Sequence, residues 1–365
     1  MQKILLVTMQ DNYNIGNRLQ NYALTTVLEK FGAEVTNLDN GYTVLPDHKT
    51  ILKNRIKKLL GKLGSRKYAE KYQSFYNSQF RRKANFDFTA RYLPRMIKTT
   101  CEDAFRQNWG DFNLAIVGSD QVWHRWGNDP KELPYYYLEF MPKEKRVSYA
   151  ASFGFEEFPE VDKAEHIKGL NGMHVISCRE KSGCKLIKRE TGRDALHVLD
   201  PTLLLTADDW RKVAAPIPED LHVENGKYAF IYFLGQIPDE YQKFIDETLK
   251  KRGIKAVDFL DFKNESIAKC GVGEFLSLID NADYVLTDSF HCTVFSILFN
   301  KEFTVFKRKG EGFEKMFGRI EELLNITGHQ SNAYEDMYRI DNEVTFKDLQ
   351  KTSFEYLEKV LNKLN

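Results

Sequence analysis

At 365 residues the chain exceeds the roughly 250–300 at which one hydrophobic core stops growing, so two domains are expected. Its 42% hydrophobic and 29% charged content is that of a globular protein, and a net charge of +1 argues against general nucleic-acid binding, which needs a strong basic excess. Five scattered cysteines without a Cys-x-x-Cys pair read as reduced thiols of a cytoplasmic protein and offer no metal-ligand spacing.

Apolar runs and amphipathic stretches alternate along the chain, the pattern of parallel sheets with crossover helices. Residues 1–8 are too short and too lightly flanked for a signal peptide, and residues 4–8 read as a buried strand. Residues 17–31 form a helix with Leu19, Ala23, Leu24, Val27 and Leu28 on one side, stopped by Gly32. A second strand follows at 33–38. From about 50 to 106 the rhythm gives way to long, polar, helical sequence. It resumes with strands at 114–117, 146–151, 174–177 and 197–199.

After Pro201 a short helix (206–215) and a linker (216–226) mark a seam. Strands at 228–233, 256–260, 284–286 and 304–306 then alternate with helices at 240–251, 272–281, 289–299 and 315–324, and a last helix spans 345–364. The fold class is therefore α/β: two Rossmann-like, doubly wound domains facing a cleft, with a helical insert in the first. The expected boundaries are 1–205 for an N-terminal domain on the acceptor side, 206–344 for a C-terminal domain with the donor-anion site, and 345–365 for a helix packing back on the body. No apolar run approaches the ~20 residues of a membrane span.

The insert carries a basic block, residues 53–67, whose lysines share helical segments with Ile51, Leu52, Ile56, Leu59, Leu60 and Leu63. It reads either as a solvated helix face or as a docking patch for anionic lipid headgroups or a lipid-linked substrate.

Ligands of doubly wound sheets sit at the carboxyl ends of the strands, so the loops there hold the candidate site. After the first strand, Asn14, Gly16, Asn17 and Arg18 supply a close backbone approach and donors at a helix start. The pattern is neither Gly-x-Gly-x-x-Gly nor a Walker loop. The third loop offers Ser119, Asp120 and Gln121 beside Trp123, a set suited to sugar hydroxyls and a sugar's C–H face, with Asp120 able to take a proton. A core Trp123 behind a capped helix is the plainer reading. Arg179 follows a strand and matches a carboxylate or phosphate with its planar fork, or forms a structural ion pair with Glu180. Asp200-Pro201 reads as an interdomain turn.

The turn Thr287-Asp-Ser-Phe-His291 joins a buried strand to a helix. Asp288 or Ser289 caps the helix, whose free N–H groups and positive dipole end suit an anion, and His291 can bind that anion or move a proton. An ordinary capped turn with a packing histidine is the alternative.

The segments Asn14-Ile-Gly-Asn-Arg-Leu-Gln-Asn-Tyr-Ala-Leu24, Gly118-Ser-Asp-Gln-Val-Trp123, Ser148-Tyr-Ala-Ala-Ser-Phe-Gly154, Ser177-Cys-Arg-Glu-Lys-Ser-Gly183, Asp200-Pro-Thr-Leu-Leu204 and Thr287-Asp-Ser-Phe-His291 occur in an order that resembles the polysaccharide pyruvyl transferase family. The resemblance implies a fold similar to two-domain GT-B glycosyltransferases. It implies transfer of a pyruvyl group from phosphoenolpyruvate onto two hydroxyls of a sugar or lipid-linked oligosaccharide, with no cofactor and no metal. It places Arg179 at the family's substrate-anion arginine and His291 at its histidine. Donor contacts are then expected at Arg179, Ser289, His291 and Arg308; Asp120 as the catalytic partner of His291, and an acceptor side of Asn14, Asn17, Arg18, Ser119, Gln121 and Trp123, are inferred from the residues themselves. Some members carry Arg where this chain has Ser289, and Arg18, Lys307, Arg308 or Arg319 are the candidates to replace it. The reduced cysteines point to the cytoplasm, and the basic insert to peripheral association at the inner membrane face. The competing expectations are a GT-B-like glycosyltransferase using a nucleotide sugar and a non-catalytic carbohydrate- or lipid-docking protein.

Overall fold

The computed structural model describes residues 1–10, 13–40, 48–223, 227–309, 317–334 and 345–362. In the first domain the order is β1 (Lys3–Val7), α1 (Ile15–Lys30), β2 (Glu34–Asp39), α2 (His48–Lys62), α3 (Arg66–Tyr92), β3 (Met96–Lys98), α4 (Cys101–Ala104), β4 (Leu114–Val117), α5 (Glu132–Tyr136), β5 (Arg146–Ser148), α6 (Lys163–Gly172), β6 (Ser177–Cys178), α7 (Lys181–Thr191) and β7 (Leu196–His197). The second has α8 (Ala207–Arg211), β8 (Tyr228–Tyr232), α9 (Asp239–Arg252), β9 (Lys255–Asp258), α10 (Glu265–Lys269), α11 (Val272–Asp280), β10 (Tyr284–Thr287), α12 (Phe290–Leu298), β11 (Glu302–Val305) and α13 (Gly318–Thr327), followed by α14 (Phe346–Asn362). The starts of the expected helix 315–324 and the ends of the linker 216–226 and the helix 345–364 lie outside the described residues.

Both sheets are parallel. The first runs β3-β2-β1-β4-β5, and single bridges Val147–Val175 and Ala151–Cys178 carry it on to the β6–β7 pair; the second runs β11-β10-β8-β9. Ile4 to Val7 and Leu114 to Val117 are fully buried, as expected of strands covered by helices on both faces. Strand order reverses between β1 and β4 in the first sheet and between β8 and β10 in the second. Each reversal opens a crevice at the strands' carboxyl ends, which is where doubly wound sheets take ligands.

The helix after β1 buries Leu19, Ala23, Leu24, Val27 and Leu28 together with polar Asn17, Arg18, Gln20 and Asn21. One apolar core runs from the α1 face of the first sheet into the second. Trp210 of α8 links them, its ring 4.8 Å from Phe295 and 5.5 Å from Tyr22. The insert is narrower than the expected 50–106, because β3 joins the sheet edge. Its long helix α3 is a strut to the second domain: Asn77 donates to the Phe262 carbonyl at 2.9 Å, and Arg81 to those of Phe259 and Ile267 at 2.9 and 2.6 Å. Helix α14 packs back on the first domain, where Ser353 Oγ accepts from Leu199 N at 2.9 Å and Tyr356 donates to the Ser148 carbonyl at 2.7 Å.

Candidate active site

The first crevice is built on the turn after β4. Gly118 has φ +128, and a Cβ there would stand 1.9 Å from the Tyr149 carbonyl oxygen, so the chain passes only as glycine. Asp120 follows in the left-handed region, at φ 70, which Asp tolerates better than most residues. Its carboxylate accepts from Asn17 Nδ2 at 2.7 Å and from Arg179 Nη2 at 3.5 Å. Ser119 Oγ donates to Asp200 Oδ2 at 3.0 Å, and Gln20 holds the Ser119 N–H at 3.0 Å.

Arg179, at the end of β6, ties this half together. Nε donates to Glu180 at 2.9 Å and Nη1 to Asp200 at 2.9 Å, while the guanidinium lies 4.7 Å from the ring centre of Phe290. Burial alone would depress its pKa. Glu180, Asp120 and Asp200 outweigh burial and hold it above the usual arginine value. Asp200 is completed by the N–H and hydroxyl of Thr202 at 3.0 and 2.6 Å. Burial acts to raise its pKa, but His291, Arg179 and Thr202 prevail and keep it below the ordinary carboxylate range. Asp200, read from sequence as a turn residue, is thus the centre of a charged network.

The second crevice supplies the facing half. Thr287 donates to the Tyr232 carbonyl at 2.6 Å, and Ser289 caps α12, its Oγ 3.5 Å from Cys292 N. Asp288 points the other way. It accepts the N–H groups of Leu234 and Gly235, both at 2.7 Å, and Arg308 Nε at 3.3 Å, fastening the β8 and β10 loops to Arg308.

His291, in the first turn of α12, crosses to the first domain. Its ring lies against Gly16, and Nε2 is 3.9 Å from Asp200 Oδ2. Burial lowers its pKa although Asp200 and Asp120 oppose it, so the imidazole is neutral at pH 7. Its buried Nε2 has no hydrogen-bond partner among the described residues. Arg319 of α13 stands nearby, Nη1 4.0 Å from Asp120, its pKa pressed down to about 10 by burial and by Arg179. Beside it, between α7, α13 and the 153–156 turn, opens a cleft of about 390 Å³ lined by Phe153, Phe155, Lys181, Lys185, Arg319 and Glu322 among others.

A neutral, unsatisfied imidazole facing carboxylates and guanidiniums at a helix N-terminus is equipped for proton transfer and for holding an anion. A family model for polysaccharide pyruvyl transferase matches residues 14–310, the span that holds every residue of this cluster except Arg319. The chain belongs to the polysaccharide pyruvyl transferase family. No curated protein sequence matches it significantly. Among solved structures it is similar to the UDP-N-acetylglucosamine 2-epimerase from Rickettsia bellii, at 10% identity and TM-score 0.48 over 100% of this chain and 96% of that one. It is similar also to the UDP-GlcNAc 2-epimerase from Methanocaldococcus jannaschii (10%, TM-score 0.48, 100% of both chains) and to an alpha-glucosyltransferase in complex with UDP and a 13-mer DNA (9%, TM-score 0.46, 99% and 91%).

Within the transferase, the expected site residues divide. Asn17, Asp120, Arg179 and His291 meet in one cluster, with Ser119 joined through Asp200 and Ser289 at the start of α12. Arg308 is anchored on Asp288. Asn14 is an exposed cap whose side chain accepts from Gly16 N at 2.9 Å. Two acceptor-side expectations need correction. Trp123 is wholly buried, stacked on Tyr137 at 5.3 Å with Nε1 on the Tyr136 carbonyl, and presents no face to a sugar. Arg18 is buried as well, donating to the Met9 carbonyl at 2.9 Å and fastening the loop after β1. The exposed indole of this segment is Trp126, three residues on. Gln121 is buried, its Nε2 without a partner among the described residues. The ion pair of Arg179 with Glu180, one of the two readings of that arginine, is present, whereas the charged role of Asp200 and the presence of Glu322 are not signalled by the sequence. Glu322 belongs to no motif, yet it accepts the Lys181 N–H at 3.1 Å and lies 3.1 Å from His197 Nε2.

Among the described residues no group of His, Cys, Asp and Glu could hold a metal ion, and no helix is long and apolar enough to cross a membrane.

Proposed function

We propose that this transferase moves a pyruvyl group from phosphoenolpyruvate onto two hydroxyls of a sugar in a polysaccharide or its lipid-linked precursor, at the cytoplasmic side of a membrane. The observation that carries the reading is His291: a buried imidazole on the first turn of α12, its Nε2 without a hydrogen-bond partner among the described residues and 3.9 Å from Asp200 of the facing domain.

The donor's phosphate and carboxylate lie against the N-terminus of α12 at Ser289, with Arg179, Arg308 and Arg319 supplying positive charge. Three of Arg179's five N–H groups are placed on carboxylates, which leaves two for a ligand. A proton is added to C3 of the enol and positive charge develops at C2. One acceptor hydroxyl attacks C2 and Asp120 takes its proton. The C2–O bond to phosphate breaks as the second hydroxyl closes the ketal. Two hydroxyl protons are lost and C3 gains one, so one proton leaves with the phosphate. A polyanionic donor favours the protonated form of His291, which then contacts that leaving group. Asn14, Asn17, Ser119 and Gln121 form the acceptor side.

The test is release of inorganic phosphate from phosphoenolpyruvate in the presence of free and lipid-linked glycans. Phosphoenolpyruvate alone should raise Tm by mass action. A nucleotide sugar that stabilises the protein and donates its sugar, while phosphoenolpyruvate does neither, overturns the reading.

A further inference from the structure

The reaction cluster makes no use of α2. This helix lies along α3, and the two approach closely: a Cβ on Gly61 would stand 2.8 Å from Ala69 Cα. Asn54, 4% exposed, faces inward. The opposite face is apolar and uncovered. Leu52 is 58% exposed, Ile56 49%, Leu59 59% and Leu63 74%. At 3.6 residues per turn these four positions fall within about 60° of arc, one straight row along the helix. Leu63 lies one residue beyond α2 but continues its ladder, its N–H bonded to the Leu59 carbonyl at 3.0 Å.

Charge flanks the row on both sides. Arg55 and Lys62 border one edge and Lys53 the other. Residues 52–67 contain seven Lys and Arg and no Asp or Glu, in a chain whose net charge is only +1. Among the described residues, Lys53, Arg55, Lys58 and Lys62 make no ion pair with a carboxylate. An exposed apolar row between cations, with no anion of its own, matches the boundary between acyl chains and anionic headgroups. The α3 strut, fixed to the second domain through Asn77 and Arg81, holds the hairpin on the body.

We infer that α2 is a membrane-docking helix that lies in the plane of an anionic bilayer, with Leu52, Ile56, Leu59 and Leu63 entering the headgroup–acyl boundary and the lysines and arginines contacting lipid phosphates. This extends the proposed function to where the enzyme works, and it can be tested without any turnover.

The full chain is sedimented with vesicles of phosphatidylcholine, with and without phosphatidylglycerol, at low and high salt. Binding to the anionic vesicles is expected, with clear loss at high salt. Lys53→Gln/Arg55→Gln/Lys62→Gln should weaken it about 100-fold. Ile56→Ser/Leu59→Ser should weaken it roughly 10-fold or more. These side chains are exposed, so circular dichroism and Tm should match the wild type. Equal partition of wild type into anionic and neutral vesicles, or unchanged binding by both variants, overturns the inference. So does a wild-type dimer that Ile56→Ser/Leu59→Ser dissociates in the absence of vesicle binding, which assigns the face to a second copy. Loss of vesicle binding alone leaves phosphate release from a soluble glycan intact, so the two readings fail separately.

Discussion

Gly16 and His291 meet across the two domains with no room for a carbon between them: a Cβ on Gly16 would stand 2.2 Å from Nδ1 and 2.9 Å from Cγ of the imidazole. Because Cγ is affected as well as the ring's far edge, the whole side chain would have to move. Gly16→Ala should therefore displace His291 from Asp200 while leaving α1 intact, since alanine favours a helix. A shift of about 1 Å at a reacting group costs on the order of 10²-fold, and kcat/KM for phosphate release should fall by that much. Unchanged kcat/KM in a folded variant would show that the contact is mere packing.

His291 itself gives the larger effect. His291→Ala should lower kcat by roughly 10²–10⁴, the range for loss of an acid–base group or a charge-stabilising contact. Its ring is lowered in pKa mainly by burial, so the free enzyme carries it neutral, and the pH dependence of kcat/KM should show an ionisation below the ordinary histidine value. That limb must vanish in the variant. A residual rate within a few-fold of wild type, on protein with unchanged circular dichroism, removes His291 from the chemistry.

The alternation of apolar runs and amphipathic stretches was enough to read two α/β domains, because parallel strands buried on both faces leave a strong signal. Short elements were harder. Helix α10 spans five residues and β3 three, too few for a periodicity to register. At the site, Asp120, Arg179 and His291 were legible because each follows a strand. Which side of a turn a residue faces was not legible. Trp123 carries the right chemistry and points into the core, Arg18 turns to the Met9 carbonyl and the Thr89 hydroxyl, and Asp200 sits in a turn yet anchors the charged network. Its carboxylate matters only because strand order brings residues 119, 179 and 291 around it, and no local pattern encodes that order.

Arg179 should be the most stability-sensitive member of the cluster. Its side chain is 3% exposed and bonded to Asp120, Glu180 and Asp200. Arg179→Met leaves those carboxylates without their shared cation, and breaking a buried ionic network in this way typically costs about 3–5 kcal/mol. Chemical denaturation should show that loss. Arg179→Lys retains the charge but not the three-way fork, so it should recover part of the stability while KM for phosphoenolpyruvate stays high. A lysine variant with wild-type stability and donor kinetics would mean that charge alone suffices.

Glu322 gives a prediction in pH. Burial, with Glu180 assisting, pushes its carboxyl up to about 7 against the opposing Lys181 N–H, Lys181 and Lys185, from an ordinary value of 4.5. The folded protein thus holds a proton that the unfolded chain has already released. Between pH 4.5 and 7 the unfolded state binds fewer protons, and this group's contribution to stability falls as pH rises, by up to about 3 kcal/mol. His197, 3.1 Å away and held down to about 4 by burial, acts in the opposite sense, its contribution being lost as pH falls. The two slopes overlap in the wild type, so a single melting curve does not separate them. Glu322→Gln does. The amide imitates the protonated acid and still accepts from Lys181 N–H. Wild type and variant should unfold alike near pH 4.5, and the variant should be the more stable by roughly 2–3 kcal/mol at pH 8. Urea denaturation at the two pH values reads this directly. A difference that stays constant with pH would place the Glu322 carboxyl in the ordinary range and remove it as a titrating contact between α7 and α13.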